Sequence, residues 1–216
     1  MTTDAISVVA GLVPDADGFV RVAIDGVDGA GKTTFADALS ARLRSLGRPT
    51  VRVSIDDFHQ VRRLRHARGV ASPEGFWLDS FDLARFRTDV LDGFARTGSG
   101  RYSPRAHDLA TDRVLRPRWR QAEPCTVLVV DGLFLQRDEL RATWDLAVFL
   151  DVPFAESCRR MAGRDGSPVN PDDPSLRRYV DGQRLYFAAC DPAARADVLV
   201  DGSVPWTPVV VRQPAR

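Results

Sequence analysis

The sequence predicts an α/β protein, a doubly wound and mainly parallel sheet with helices on both faces, on three observations. Apolar stretches alternate with helical patterns along the chain. The clearest strand, residues 126–131 (TVLVVD), is almost wholly apolar up to its terminal acid, as a strand covered on both faces requires. The first strand runs through a glycine loop directly into a helix. With 216 residues, 44% of them hydrophobic and 27% charged, the chain is long enough for one substantial core, and a single domain over residues 1–216 is expected.

The elements follow in order. Residues 5–12 predict a short helix, ended by the turn-rich Pro14-Asp15-Ala16-Asp17-Gly18. Residues 19–25 (FVRVAID) read as a buried strand, and 32–46 as a helix with Phe35, Leu39 and Leu43 on one face and Gly47 as its stop. A second strand at 50–55 (TVRVSI) leads into a long polar stretch that reaches Pro73. The recurrence of Leu83, Phe86, Val90 and Phe94 predicts a helix over 79–96. A Gly/Ser break at 98–100 opens an irregular segment, with a short hairpin expected around 114–119. After the strand at 126–131 come a strand at 146–150 and a helix from 154 to about 162. A Gly-, Pro-, Asn- and Asp-rich loop at 165–174 then leads to a helix at 176–189 and a short strand at 197–200. The region around 160–175 has the character of a lid, and the closing PWTPVVVRQPAR reads as an irregular or edge segment.

Charge and composition narrow the classes of function. A net charge of +1 gives no global electrostatic reason to expect nucleic acid or a membrane surface as partner. The three cysteines, Cys125, Cys158 and Cys190, lack the close paired spacing of a zinc or redox motif and read as reduced thiols. The first residues carry no positively charged leader, no apolar run approaches membrane-spanning length, and a cytoplasmic protein is expected.

The stretch GVDGAGKTT, Gly26 to Thr34, carries the chemistry. Gly26, Val27, Asp28, Gly29, Ala30, Gly31, Lys32 and Thr33 match G-x-x-x-x-G-K-[ST] in full. In that pattern backbone N–H groups and the helix N-terminus wrap a polyphosphate, Lys32 reaches the terminal phosphates, and the Thr33 hydroxyl ligates Mg²⁺. Lys32 is the only lysine in the chain, and every other Lys or Arg position is arginine. It therefore marks a place where a thin stem with a compact charge serves and a planar fork does not. The alternative is a glycine turn that merely caps a helix.

Two sites for carboxylates follow. Asp131 ends the strand TVLVVD, where an acid beside a phosphate loop can hold Mg²⁺ or its water shell; a simple turn cap is the other reading. Asp56 and Asp57 lie at the carboxyl end of the second strand, where ligands of parallel sheets sit, and Asp56 is the candidate base for an acceptor hydroxyl. Asp57 reads as a loop cap.

These residues resemble the uridine kinase and phosphoribulokinase-like branch of P-loop kinases. The likeness rests on GVDGAGKTT, DDFH, LDSFD, the pair Tyr102 and His107, DGLF and RRMAGRD, in family order from Gly26 to Asp165, with ADVLVD as a weaker match to the last strand. The resemblance implies a P-loop NTPase fold of nucleoside-kinase type. It implies ATP- or GTP-dependent, Mg²⁺-assisted phosphorylation of a small-molecule hydroxyl, typically the 5′-hydroxyl of uridine or cytidine. It makes Asp56 the catalytic acid–base residue and Asp79 a ribose-binding acid. Tyr102 and His107 become a base-binding pair, His59 stands where a tyrosine often packs on the nucleoside, and Arg160 and Arg164 belong to a lid. Family members often self-associate, so a homo-oligomer is among the implications. The bland alternatives are a helix cap for Asp79, ordinary loop residues for Tyr102 and His107, and a solvated helix face for the arginines.

The sequence departs from the family at several points. Asp131 stands for the usual Glu and shortens the reach to the metal, which suggests a water-bridged contact. The lid motif has one extra residue between its arginines, and the arginine that commonly follows the family His is missing after His107. Arg62, Arg63, Arg65 and Arg68 crowd the segment after the proposed base, either as a solvated loop or as a clamp for an anionic acceptor. The acceptor therefore stays open among nucleosides, pantothenate, glycerate, sugars and phosphosugars. A nucleotide-dependent regulatory switch is the reading from another class.

Overall fold

A computed structural model describes residues 4–204 and 207–214. Pro205, Trp206, Ala215 and Arg216 of the expected edge segment lie outside the described residues. The central sheet has six strands: β1 (Val20–Gly26), β2 (Thr50–Ser54), β3 (Val127–Asp131), β4 (Leu146–Asp151), β5 (Val198–Asp201) and β6 (Val209–Arg212). Their order is β6-β5-β4-β1-β3-β2, with β2 to β3, β3 to β1, β1 to β4 and β4 to β5 all parallel. Strand β6 joins β5 antiparallel at the edge, which places the VVVR stretch. β1 is central because VRVAIDG is buried almost throughout, and its register sets Ile24 beside Asp131 on one side and Val148 on the other.

Alternation along the strands divides the apolar residues between two layers. Val22, Ile24, Val129, Val148 and Val200 face helices α1 (Ala5–Leu12) and α2 (Lys32–Ser45), where Val9, Phe35, Leu39 and Leu43 complete one core. Ala23, Val53, Leu128 and Val130 face the other layer, with Phe76, Trp77, Phe134 and Tyr186. That second layer holds α3 (Pro73–Asp79) and α5 (Arg177–Cys190). Gly182 lets these two helices approach: a Cβ there would stand 2.8 Å from the Phe76 ring and 2.9 Å from the Pro73 carbonyl. The segment expected as a lid, 160–175, begins within helix α4 (Phe154–Asp165) and ends just before α5.

The middle of the chain departs from the expected pattern. α3 ends at Asp79, and residues 79–96 are not one helix. Phe81 forms an extended bridge with His59, and Asp82 starts a new turn, Leu83–Phe86, by accepting the Arg85 N–H at 3.0 Å. A wider π-type turn, Arg87–Leu91, follows and keeps Phe86, Val90 and Phe94 buried. The hairpin starts earlier than expected, as two nested antiparallel pairs: Arg101–Tyr102 with Arg120–Gln121, and His107–Asp108 with Arg113–Val114. None of the three cysteines is disulfide-bonded. Among the described residues no helix is long and apolar enough to cross a membrane.

Candidate active site

The phosphate loop is held from below and from the side. Asp25, fully buried at the end of β1, accepts hydrogen bonds from the Gly26 N–H (2.7 Å), the Tyr186 hydroxyl (2.5 Å) and the Gln136 N–H (3.2 Å). Burial outweighs these bonds and pushes the Asp25 carboxyl up to about 6. At the flank, the Gln183 amide oxygen accepts the Asp28 N–H at 2.8 Å, and the Ser157 hydroxyl donates to the Asp28 carbonyl. Gly29 lies so close to α4 that a Cβ would meet the Ser157 carbonyl at 2.8 Å, and its φ of 70° is left-handed. Gly31, also left-handed, opens α2 with no side-chain cap, so the first-turn N–H groups are free to face an anion. Lys32 is buried and curls over the loop, its Nζ donating to the Val27 carbonyl at 2.7 Å.

Helix α2, β3 and the end of β2 bring the acids to this loop. Thr33 Oγ1 donates to Asp131 Oδ2 at 2.9 Å, the pair that parallel register and the loop-to-helix turn place together. Asp131 is buried and its other oxygen takes the Arg52 guanidinium at 2.8 Å. Asp56 stands two residues beyond Ser54, the residue paired with Asp131 across β2 and β3. Its side chain opens to the cleft, but surrounding protein raises its pKa by desolvation; Lys32 opposes this, and the nearby Asp131 and Asp57 add to it. Asp28 is raised in the same way, chiefly by burial. Asp57 is tied to Arg105 at 2.7 Å, so its carboxylate has a structural partner.

A cleft of about 700 Å³ collects most of these groups. It is lined by residues 28–34, Asp56, Asp131, Arg160 and Arg164. Arg160 is held by Glu156 (2.8 Å) and the Gly202 carbonyl (2.6 Å), and Arg164 by Asp165 (2.8 Å). Among the described residues no group of three or more His, Cys, Asp and Glu forms a protein cage for a metal. The hard oxygens of Thr33 and Asp131 fit Mg²⁺, which takes one or two protein oxygens alongside phosphate oxygens. A second depression, about 430 Å³ over Gly47, Arg48, Pro49 and Cys125, contains none of the candidate catalytic residues.

The expected acceptor residues do not line the 700 Å³ cleft. His59 adjoins it: its Nδ1 lies 2.7 Å from the Asp56 carbonyl, its ring meets Phe81 at 4.8 Å, and burial lowers its pKa. Asp79 is the last residue of α3, not the cap of a following helix, and binds Arg68 at 2.8 Å. Tyr102 is packed in the core against Phe94. His107 is buried with Nε2 3.3 Å from Asp112, although neither ring nitrogen makes a well-directed hydrogen bond within the described residues. Asp112 in turn holds the Arg62 N–H and the Arg65 guanidinium, so the arginine segment leans on the hairpin.

Sequence reading missed Asp25, Arg52, Ser157, Gln183 and Tyr186. A charge inside a buried strand was the available signal for Asp25, whereas Arg52 falls on the polar phase of the half-buried edge strand β2 and had no local signal. The other three reach the site only through folding, from more than 120 residues away.

Comparison with known proteins bears on the fold and the family. A family model described as an AAA domain matches residues 22–184. No curated protein sequence matches the chain significantly. Among solved structures, a possible uridine kinase from Bacillus stearothermophilus superposes with a TM-score of 0.71 at 24% identity, covering 90% of this chain and 96% of that one. A protein provisionally described as a fructose transport system kinase, from Silicibacter sp. TM1040, gives 0.69 at 26% identity, covering 87% and 96%. Phosphoribulokinase from Rhodobacter spheroides gives 0.56 at 16% identity, covering 93% and 77%. The phosphate loop between β1 and α2, the mainly parallel sheet around it and a family match over most of the length together place the chain in the AAA-domain family of P-loop proteins, with the kinase-like fold of these neighbours.

Proposed function

We propose that this protein is a kinase that transfers the γ-phosphoryl group of ATP or GTP to a hydroxyl of a small molecule. The observation that carries the proposal is the single cleft that holds Lys32, the Thr33–Asp131 pair and Asp56 together. A second carboxylate opposite the phosphate loop is placed to accept a proton from an acceptor hydroxyl, a group that a protein which only binds nucleotide does not need.

In this reading residues 26–34 hold the polyphosphate, and Lys32 leaves the Val27 carbonyl to meet the terminal phosphates. Thr33 and Asp131 would hold Mg²⁺, which when bound would supply positive charge beside the phosphate oxygens. Asp56 orients the acceptor hydroxyl and takes its proton. Arg160 and Arg164, on the segment 160–175, close on the phosphates and stabilise developing charge. The chain works as one domain.

The acceptor reading favoured by the motif order is a nucleoside, with His59, Asp79, Tyr102 and His107 on the acceptor side; all four stand outside the 700 Å³ cleft and then rely on a rearrangement to meet the acceptor. One observation favours a second reading, a phosphorylated or carboxylated acceptor: Arg62 and Arg63 stand exposed on the short helix after Asp56 that Asp112 ties to the hairpin. A screen for ADP release against nucleosides, pantothenate, glycerate, sugars and sugar phosphates tests both. Stoichiometric release that requires one hydroxyl compound supports the kinase. Slow hydrolysis indifferent to every compound would support a nucleotide-dependent switch instead.

A further inference from the structure

Strand β2 reads TVRVS, and its central arginine turns along the sheet toward two acids. Arg52 rises along the α2 side of the sheet with its side chain only a quarter exposed. Its Nη2 and Nε stand 2.8 and 3.0 Å from Asp131 Oδ1, and its Nη1 reaches Asp37 of α2 at 3.3 Å. Asp131 thus has both oxygens engaged, Oδ1 by a guanidinium and Oδ2 by the Thr33 hydroxyl.

This arrangement has two physical consequences. A carboxylate buried to this degree needs an opposite charge, and Arg52, which it shares with the more exposed Asp37, supplies it, so much of the negative charge that Asp131 offers a cation is already offset. The two-pronged grip on Oδ1 also fixes the carboxylate plane and turns Oδ2 toward Thr33. A carboxylate whose charge is offset and whose geometry is fixed attracts a free divalent ion more weakly than an unpaired one, and affinity then depends on phosphate oxygens arriving with the nucleotide.

We propose that Arg52 is a positioning residue for the divalent-cation site, which orients Asp131 and makes cation binding conditional on the nucleotide. The proposal rests on the reading of Thr33 and Asp131 as that site. It makes Arg52 the element that separates a cation-loaded nucleotide from the free cation.

Mn²⁺ tests it, counted by electron paramagnetic resonance with the full chain, with and without ATP. Wild type is expected to bind free Mn²⁺ only weakly and Mn–ATP well. Arg52→Gln is expected to tighten free Mn²⁺ about tenfold, the scale of removing one unit charge close to a divalent ion in a water-like dielectric. Arg52→Lys keeps the charge and loses the fork; it is expected to leave free-ion affinity within about twofold and weaken Mn–ATP several-fold. Tight free-ion binding by wild type would overturn the proposal without any variant, as would unchanged free-ion affinity in a folded Arg52→Gln. If Arg52→Gln does not fold, Arg52→Lys decides, and unchanged Mn–ATP affinity there overturns the positioning role. Failure of wild type to bind Mn–ATP at all would instead sink the cation-site reading beneath it.

Discussion

Replacing Asp25 by Asn isolates the buried acid beneath the phosphate loop. Asp25 is fully enclosed, and burial raises its pKa from 3.8 to about 6 against the pull of Tyr186, Gly26, Lys32 and Gln136. Between those two values the folded protein keeps a proton that the unfolded chain has released. Stability therefore falls as pH rises through this window and levels off above it. From pH 8 down to pH 4.5 the gain from this one group is about 2 kcal/mol. Asn cannot titrate, and it brings an NH₂ to a site built from three donors, so one buried N–H loses its acceptor at about 1–3 kcal/mol. That offset does not depend on pH. The deficit of Asp25→Asn relative to wild type is thus expected to be about 2 kcal/mol larger at pH 4.5 than at pH 8. Urea unfolding followed by tryptophan fluorescence, with both proteins at both pH values, measures it directly. A difference constant across that range would refute the assignment of a proton to Asp25 in the folded state.

Three further outcomes follow from the site. Lys32→Arg is expected to lower turnover at least about a hundredfold in a coupled ADP assay, because a planar fork does not fit where Lys32 curls over the Val27 carbonyl; full activity would make the solitary lysine an accident of composition. Reversing the charge at Arg62 and Arg63 is expected to raise KM for an anionic acceptor about tenfold and leave KM for a neutral nucleoside unchanged, which initial-rate kinetics separates. Arg65 is unsuitable for that test because its guanidinium holds the Gln60 carbonyl and Asp112. Because desolvation raises the Asp56 pKa and a base must be ionised to act, kcat is expected to fall on acidification at higher pH than an ordinary aspartate would give; a profile that stays flat until an ordinary aspartate would titrate contradicts the role.

What the sequence made legible was local or periodic. Strands β1, β3 and β4 are apolar runs, α2 begins where a glycine loop ends, and the phosphate loop is contiguous in the chain; each needs only neighbouring residues to specify it. α3 could have been read from Ser72 and Pro73, a side-chain cap followed by proline in the first turn, but the surrounding polar residues masked it. The helix expected at 79–96 had the right buried face and the wrong continuity, because Asp82 restarts the backbone after the His59–Phe81 bridge, a contact between segments 22 residues apart. The pairing of Thr33 with Asp131 followed from two motifs. The grip of Arg52 on Asp131 and the struts from Tyr186, Gln183 and Ser157 did not, since they arise only when α4, α5 and β2 pack around the loop.

The most direct test of a kinase site centred on Asp56 is a single-turnover measurement of γ-phosphoryl transfer by wild type and Asp56→Asn, with Mg–ATP and the acceptor found by the ADP-release screen. The account expects Asp56→Asn to bind Mg–ATP within a few-fold of wild type and to transfer phosphoryl at least about a hundredfold more slowly. Near-normal transfer by a folded, nucleotide-binding Asp56→Asn would contradict it.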